Sequence, residues 1–180
     1  MIYTTKELID NGETYYSIKQ KIQAKKLWIL EKGMYTDVEN QQIGETYISK
    51  KYPNAILTGL SAYSIYDLTD KIPDKFYLAT EQHSFPIRRR DVVQTYQDKS
   101  FFEIGAIVMQ YEDSFIYIYD LERLLIETVR LKERMNPELY YEVIFSFRKI
   151  KNKLDFFKII EYTKKFRNGA SLLKKIKEMI

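Results

Sequence analysis

The chain has 180 residues, 45% of them hydrophobic, with a formal net charge of +4, no cysteine and a single histidine. That is enough apolar residue for a real core, in one domain or in a small module joined to a larger one, and the missing cysteines exclude disulfides, thiol catalysis and thiolate metal sites. No apolar run approaches the roughly 20 residues of a membrane span, and MIYTTKELID lacks the basic start and apolar stretch of a signal peptide, so a metal-free, cofactor-free cytoplasmic protein is expected.

Residues 5–36, TKELIDNGETYYSIKQKIQAKKLWILEKGMYT, predict the core of a winged helix-turn-helix. Lys6 to Asp10 read as a short helix, broken by Asn11-Gly12, the residues that best tolerate a left-handed backbone. Thr14 then caps a second helix running to about Lys25, in which Tyr15, Ile18 and Ile22 recur at i, i+3 and i+7 as an inward stripe. The opposite face carries Tyr16, Ser17, Gln20 and Lys21, flanked by Lys19 and Gln23. Between Thr14 and Lys26 there are four lysines and no acid, the charge pattern with which a helix approaches phosphates. Residues 27–30 read as a strand, Glu31-Lys32-Gly33 as a tight turn and residues 34–36 as the returning strand, together the wing. Tyr16, Ser17 and Gln20 are thus the candidates for base edges, with Gln20 suited to adenine, and Lys19, Lys21, Lys25 and Lys32 the candidates for phosphates. Only Met1 to Thr4 precede the pair, so the first helix usual in such a module is missing. Cover for the inward stripe is expected from the second domain, a dimer partner or the wing. The plainer alternative is an αα-hairpin on a β-ribbon with no ligand.

From residue 37 to 52 the pattern predicts a helix with Val38, Ile43, Tyr47 and Ile48 inward, stopped at Tyr52-Pro53. Thr58 or Ser61 can cap a further helix through Tyr66. Residues 75–80, 91–96, 102–109 and 115–119 read as strands. The loop His83 to Arg90 holds the lone histidine and three adjacent arginines, Arg88, Arg89 and Arg90, a candidate surface for a polyanion or an acidic partner. A histidine in such a loop is more often a surface residue than a catalyst. Asp120 is expected to cap a helix with Leu121, Leu124, Leu125 and Val129 inward. Its charged residues invite a carboxylate active site, yet helical pairing of Glu122 and Arg123 and a capping Asp120 explain them more economically. Asn136-Pro137 opens another helix, with Tyr141, Ile144, Phe145 and Ile150 on its apolar side. Two more amphipathic helices, over 154–165 and 170–179, close the chain.

Charge is distributed unevenly along this order. Residues 1–36 carry six Lys/Arg against four Asp/Glu, residues 37–142 twelve against eighteen, and residues 143–180 eleven against three. A basic front and a strongly basic tail suggest two polyanion surfaces separated by a body that avoids them, although solvated helix faces would give the same tail.

The series TTKELIDNG, LWILEKGMYT, NAILTGLSAYSIYDLT, KFYLAT and IYIYDLERLLIETVR, in this order, resembles the AbiEi family of antitoxin transcriptional regulators from bacterial abortive-infection toxin–antitoxin operons. Its more specific parts are Lys32-Gly33-Met34-Tyr35, Ser61-Ala62 and the start of the helix at Tyr119 to Arg123. The resemblance implies an N-terminal winged helix that binds inverted repeats in its own promoter, as a dimer on double-stranded DNA, and a C-terminal α/β domain with antitoxin activity. It also implies a nucleotidyltransferase-like toxin that need not be bound stably. The expected fold class is therefore α+β, a winged helix-turn-helix without its first helix over 1–36, then over 37–180 a small α/β domain with a C-terminal helical stack. The alternative is a non-DNA-reading interaction protein that neutralises a toxin, or shields its nucleic-acid substrate, through the Arg88 to Arg90 loop and the basic tail. An enzyme comes third. Glu103, Asp113, Asp120 and Glu122 are available to a nuclease, but no recognised spacing links them.

Overall fold

In the computed structural model, which describes residues 1–180, strand β1 (Ile2–Thr4) runs straight into helix α1 (Thr5–Asp10) because Thr4 caps the helix it precedes. The Thr4 hydroxyl accepts the Glu7 N–H, and the Glu7 carboxylate accepts the Thr4 N–H, so two of the N–H groups that a helix start leaves open are satisfied at once. Gly12, at φ +87°, turns the chain left-handed where a side chain would be strained. A second reciprocal box, Thr14 with Ser17, then starts helix α2 (Tyr15–Gln23). Strands β2 (Trp28–Glu31) and β3 (Met34–Thr36) follow, and β1 pairs antiparallel with β3 to give the sheet order β1-β3-β2. What precedes the helix pair is therefore a strand.

Leu8, Ile18 and Leu27 form a buried cluster, with Tyr3, Ile22 and Tyr35 packed on it. The inward stripe of α2 is thus covered by α1 and the sheet of its own unit. Tyr15 does not take part. It is 74% exposed, because it is the first residue of α2 and stands a turn above the cluster. The helix expected over 37–52 forms only as α3 (Glu45–Lys51), and Val38 and Ile43 are exposed. Asp37 explains the delay: its carboxylate takes the N-terminal ammonium of Met1 and the Tyr3 hydroxyl, which holds the chain extended beside β1. Met1–Pro53 and Val108–Ile116 make up one compact unit and Asn54–Ile107 with Tyr117–Ile180 another. The boundary expected after Thr36 falls inside the first unit, since α3 supplies the lysines that pair with Glu7 and Glu31.

After α3 the chain continues with β4 (Ile56–Leu57), α4 (Gly59–Ile65), β5 (Phe76–Glu81), β6 (Val92–Gln97) and α5 (Lys99–Phe102). After these come β7 (Ala106–Tyr111), β8 (Ser114–Tyr119), α6 (Leu121–Arg130), α7 (Pro137–Lys149), α8 (Phe156–Thr163) and α9 (Gly169–Met179). The sheet order is β6-β5-β4-β8-β7, with β5 parallel to β6, β4 parallel to β8 and β4 antiparallel to β5. The fold is thus mixed α+β. Parallel strands β5 and β6 are joined by the loop 82–91 and not by the usual helix, which is where the three adjacent arginines lie.

Three expectations shift here. Residues 99–102 are helical, capped by Asp98, and the strand expected from 102 begins only at Ala106, after Gly105 at φ +74°. Neither Thr58 nor Ser61 caps α4 with its side chain; the Ser61 hydroxyl accepts the Tyr77 N–H instead. Helix α7 buries Tyr140, Val143, Ile144 and Phe147, whereas Tyr141 and Phe145 are exposed. Both stripes are apolar at helical spacing, so periodicity alone does not choose between them. No helix is long and apolar enough to cross a membrane.

Candidate nucleic-acid interface

One side of α2 is anchored and the other is open. Ile18 is 3% exposed at the centre of the small core, while Tyr16 is 71% exposed and Lys19, Gln20 and Gln23 lie with it at the surface. Two of the candidates have partners within the chain. The Ser17 hydroxyl accepts the Thr14 N–H and donates to Glu13 at 2.6 Å, so it is part of the cap of its own helix. Lys21 pairs with the same Glu13 carboxylate. The Lys21 ammonium, helped by the Ser17 hydroxyl, holds the Glu13 carboxyl below the usual glutamate range, so it stays charged beside this face.

Lys25 stands directly after α2's last turn at φ +53°, a left-handed position at which glycine is the common residue. Its side chain is exposed, and the conformation costs roughly 1–2 kcal/mol for a residue with a Cβ. Lys32 is exposed at the tip of the β2–β3 hairpin, next to Gly33 at φ +84°. Three acids of the unit are turned elsewhere: Glu7 to Lys50, Glu31 to Lys51 and Asp37 to the N-terminal ammonium. Burial alone would raise the Glu7 carboxyl, but the hydrogen bonds from Lys50 and Thr4 outweigh it and pull it below its ordinary value. Lys19, Lys25, Lys26 and Lys32 are left without ion-pair partners, so the exposed charge of α2 and the hairpin is uncancelled cation. Glu13 is the residue missed from the sequence. Its position, four before Ser17 and eight before Lys21, is the signal that was available.

In the second unit the three arginines do not behave alike. Arg89 is clamped by the Asp91 carboxylate, whereas Arg88 and Arg90 are exposed. His83 is exposed in the same loop. Asp120 caps α6 through the Arg123 N–H at 2.9 Å and also accepts the Tyr162 hydroxyl at 2.9 Å. Burial, and then the bond to Asp120, push the Tyr162 phenol far up, so it remains a donor. Glu122 accepts the Asp155 N–H at 2.8 Å. These carboxylates hold elements together. No group of three or more His, Asp or Glu side chains is placed to hold a metal ion.

No protein-family model and no curated protein matches the sequence. Among solved structures, the chain is similar to the RV2827C protein of Mycobacterium tuberculosis, with a TM-score of 0.54 and 12% identity over 98% of this chain and 72% of that one. That likeness is one of fold.

Proposed function

We propose that this chain is an AbiEi-type antitoxin and transcriptional regulator. On this reading α1, α2 and the β2–β3 hairpin act as a winged helix-turn-helix on double-stranded DNA, and two copies read inverted repeats in the chain's own promoter. The remainder counteracts a nucleotidyltransferase-like toxin, a role that rests on the family resemblance. The observation carrying the DNA-binding half is the open face of α2, where Tyr16, Lys19 and Gln20 project from a helix without a single acid, anchored behind by Ile18. A lysine kept at the left-handed Lys25 position supports it, since backbone strain of this kind points to a use for the side chain. Lys19, Lys25 and Lys32 meet phosphates on this reading, and Lys21 joins them only by exchanging Glu13 for phosphate.

The test is a gel shift of the purified protein on its own upstream region, with scrambled competitor and at stated salt. A shift that competitor removes at equal concentration counts against operator recognition. Glu13→Gln is a sharper probe. It frees Lys21 and removes a negative charge from the face, so all duplexes should bind more tightly and the slope of log affinity against log salt should steepen by about 0.9 for the added phosphate contact. An unchanged slope in a folded variant would take Lys21 off the DNA surface.

One observation favours the interaction-protein reading as the second choice. Phe85, 93% exposed, shares a loop with exposed Arg88 and Arg90, and aromatic residues with arginine are the usual anchors of a protein interface. Co-purification of the toxin with the wild type, but not with Phe85→Ala, would place the toxin contact there.

A further inference from the structure

The second unit contains a cleft that the proposed function does not use. It has a volume of about 380 Å³ and lies between the end of α6 and the start of α9, walled by Phe101 and Phe166. The volume is within the range of small-molecule sites, about 300–1,000 Å³. Three cations from three segments line it, namely Arg130, Arg167 and Lys175, together with Asn168 and Ser171, and no carboxylate does. Arg167 and Lys175 have no ion pair, because the nearby acids of α8 and α9 are spent on other lysines: Glu161 on Lys164 and Glu178 on Lys174.

A buried cation backs the wall. Arg123 is 0% exposed, with its Nη2 beside the Glu127 carboxylate and its Nη1 donating to the Phe101 carbonyl, and only its Nε is left with no acceptor or ion-pair partner. Its guanidinium carbon is 5.1 Å from the Phe166 ring centre and 5.8 Å from that of Phe101, the two rings that face the cleft. Glu127, its ion-pair partner at 2.8 Å, is shared with Arg130, a lining residue of the cleft. An anion with several acceptor oxygens answers the lining cations, and guanidinium groups suit phosphate by geometry as well as charge.

We propose that this cleft binds a phosphate monoester, either free inorganic phosphate or the 5′-phosphate of a mononucleotide. Arg167 and Lys175 hold the oxygens and Ser171 donates its hydroxyl.

The test uses the full-length, 15N-labelled protein at low ionic strength, titrated with sodium phosphate, AMP and adenosine. Saturable shifts of the Asn168, Gly169 and Ser171 amides with phosphate and AMP, but not with adenosine, are expected. Tighter binding of AMP supports a nucleotide ligand, and equal binding supports the phosphate group alone. Arg167→Gln combined with Lys175→Gln should weaken either ligand by about tenfold or more. Lys174→Gln combined with Lys177→Gln removes the same charge from α9 positions outside the cleft and should weaken it little. All four positions are exposed, and circular dichroism confirms that the variants fold. Absence of saturable shifts, or equal losses in the two double variants, would overturn the proposal and leave a solvated basic face.

Discussion

Arg123→Met should destabilise the second unit by about 3–5 kcal/mol, the usual penalty for breaking a buried ion pair from one side. The replaced guanidinium is fully buried, pairs with Glu127 and donates from Nη1 to the Phe101 carbonyl at 2.7 Å. After the substitution Glu127, whose side chain is 4% exposed, keeps only Arg130, which is itself one-third exposed. The Phe101 carbonyl loses its donor as well. Replacing both partners, Arg123→Met with Glu127→Met, should recover most of the loss, because no unpaired charge is then left inside and Arg130 can turn to water. Urea unfolding of the single and double variants, with hydrogen exchange of the α6 amides to assign the loss to this unit, reads the outcome. A single variant within about 1 kcal/mol of wild type would show that the pair does not hold α6 in place. Gly105 belongs to the same argument. At φ +74° it passes so close to α6 that an added Cβ would lie 2.5 Å from the Arg123 Cβ.

Gln20→Ala and Tyr16→Ala are each expected to lower affinity for the operator by about 1–3 kcal/mol while leaving binding to scrambled duplex nearly unchanged. Both side chains are exposed and make no contact that the fold needs, so their loss is read in recognition and not in stability. Gln20 offers the paired donor and acceptor that match adenine in the major groove, and Tyr16 offers an aromatic face and a hydroxyl. Ser17 differs: its hydroxyl is committed to Thr14 and Glu13, so Ser17→Ala should lose helix stability of about 0.5–2 kcal/mol as a cap. Competition gel shifts and thermal melts of the three variants separate these effects. Equal losses on operator and scrambled DNA for Gln20→Ala and Tyr16→Ala would show that this face does not read bases.

Several features were legible because their causes are local. Thr14, Asp120 and Asn136-Pro137 announce helix starts by side chains that reach backbone N–H groups within three residues, and Gly33 announces the hairpin because few other residues accept its backbone angles. Strands β5, β6 and β8 were visible in their β-branched and aromatic runs. The open face of α2 followed from periodicity once Ile18 was taken as inward.

What the sequence alone could not decide depends on partners distant along the chain. The α7 stripe is an example. Two apolar faces competed, and only packing in the folded unit selected Tyr140, Val143, Ile144 and Phe147 over Tyr141 and Phe145. The delayed start of α3 depends on Asp37 meeting the N-terminus and Tyr3, 36 and 34 residues away. The same holds for charge. Sequence determined that residues 1–36 and 143–180 are basic, but which lysines stay uncancelled was decided by where Glu13, Glu31 and Glu7 point, and the fully buried Arg123 became visible only when Tyr119, Phe101 and Phe166 closed around it. Helix caps and turn residues act over three or four positions, whereas burial and ion pairing are properties of the assembled chain, and it is the latter that define both candidate binding surfaces.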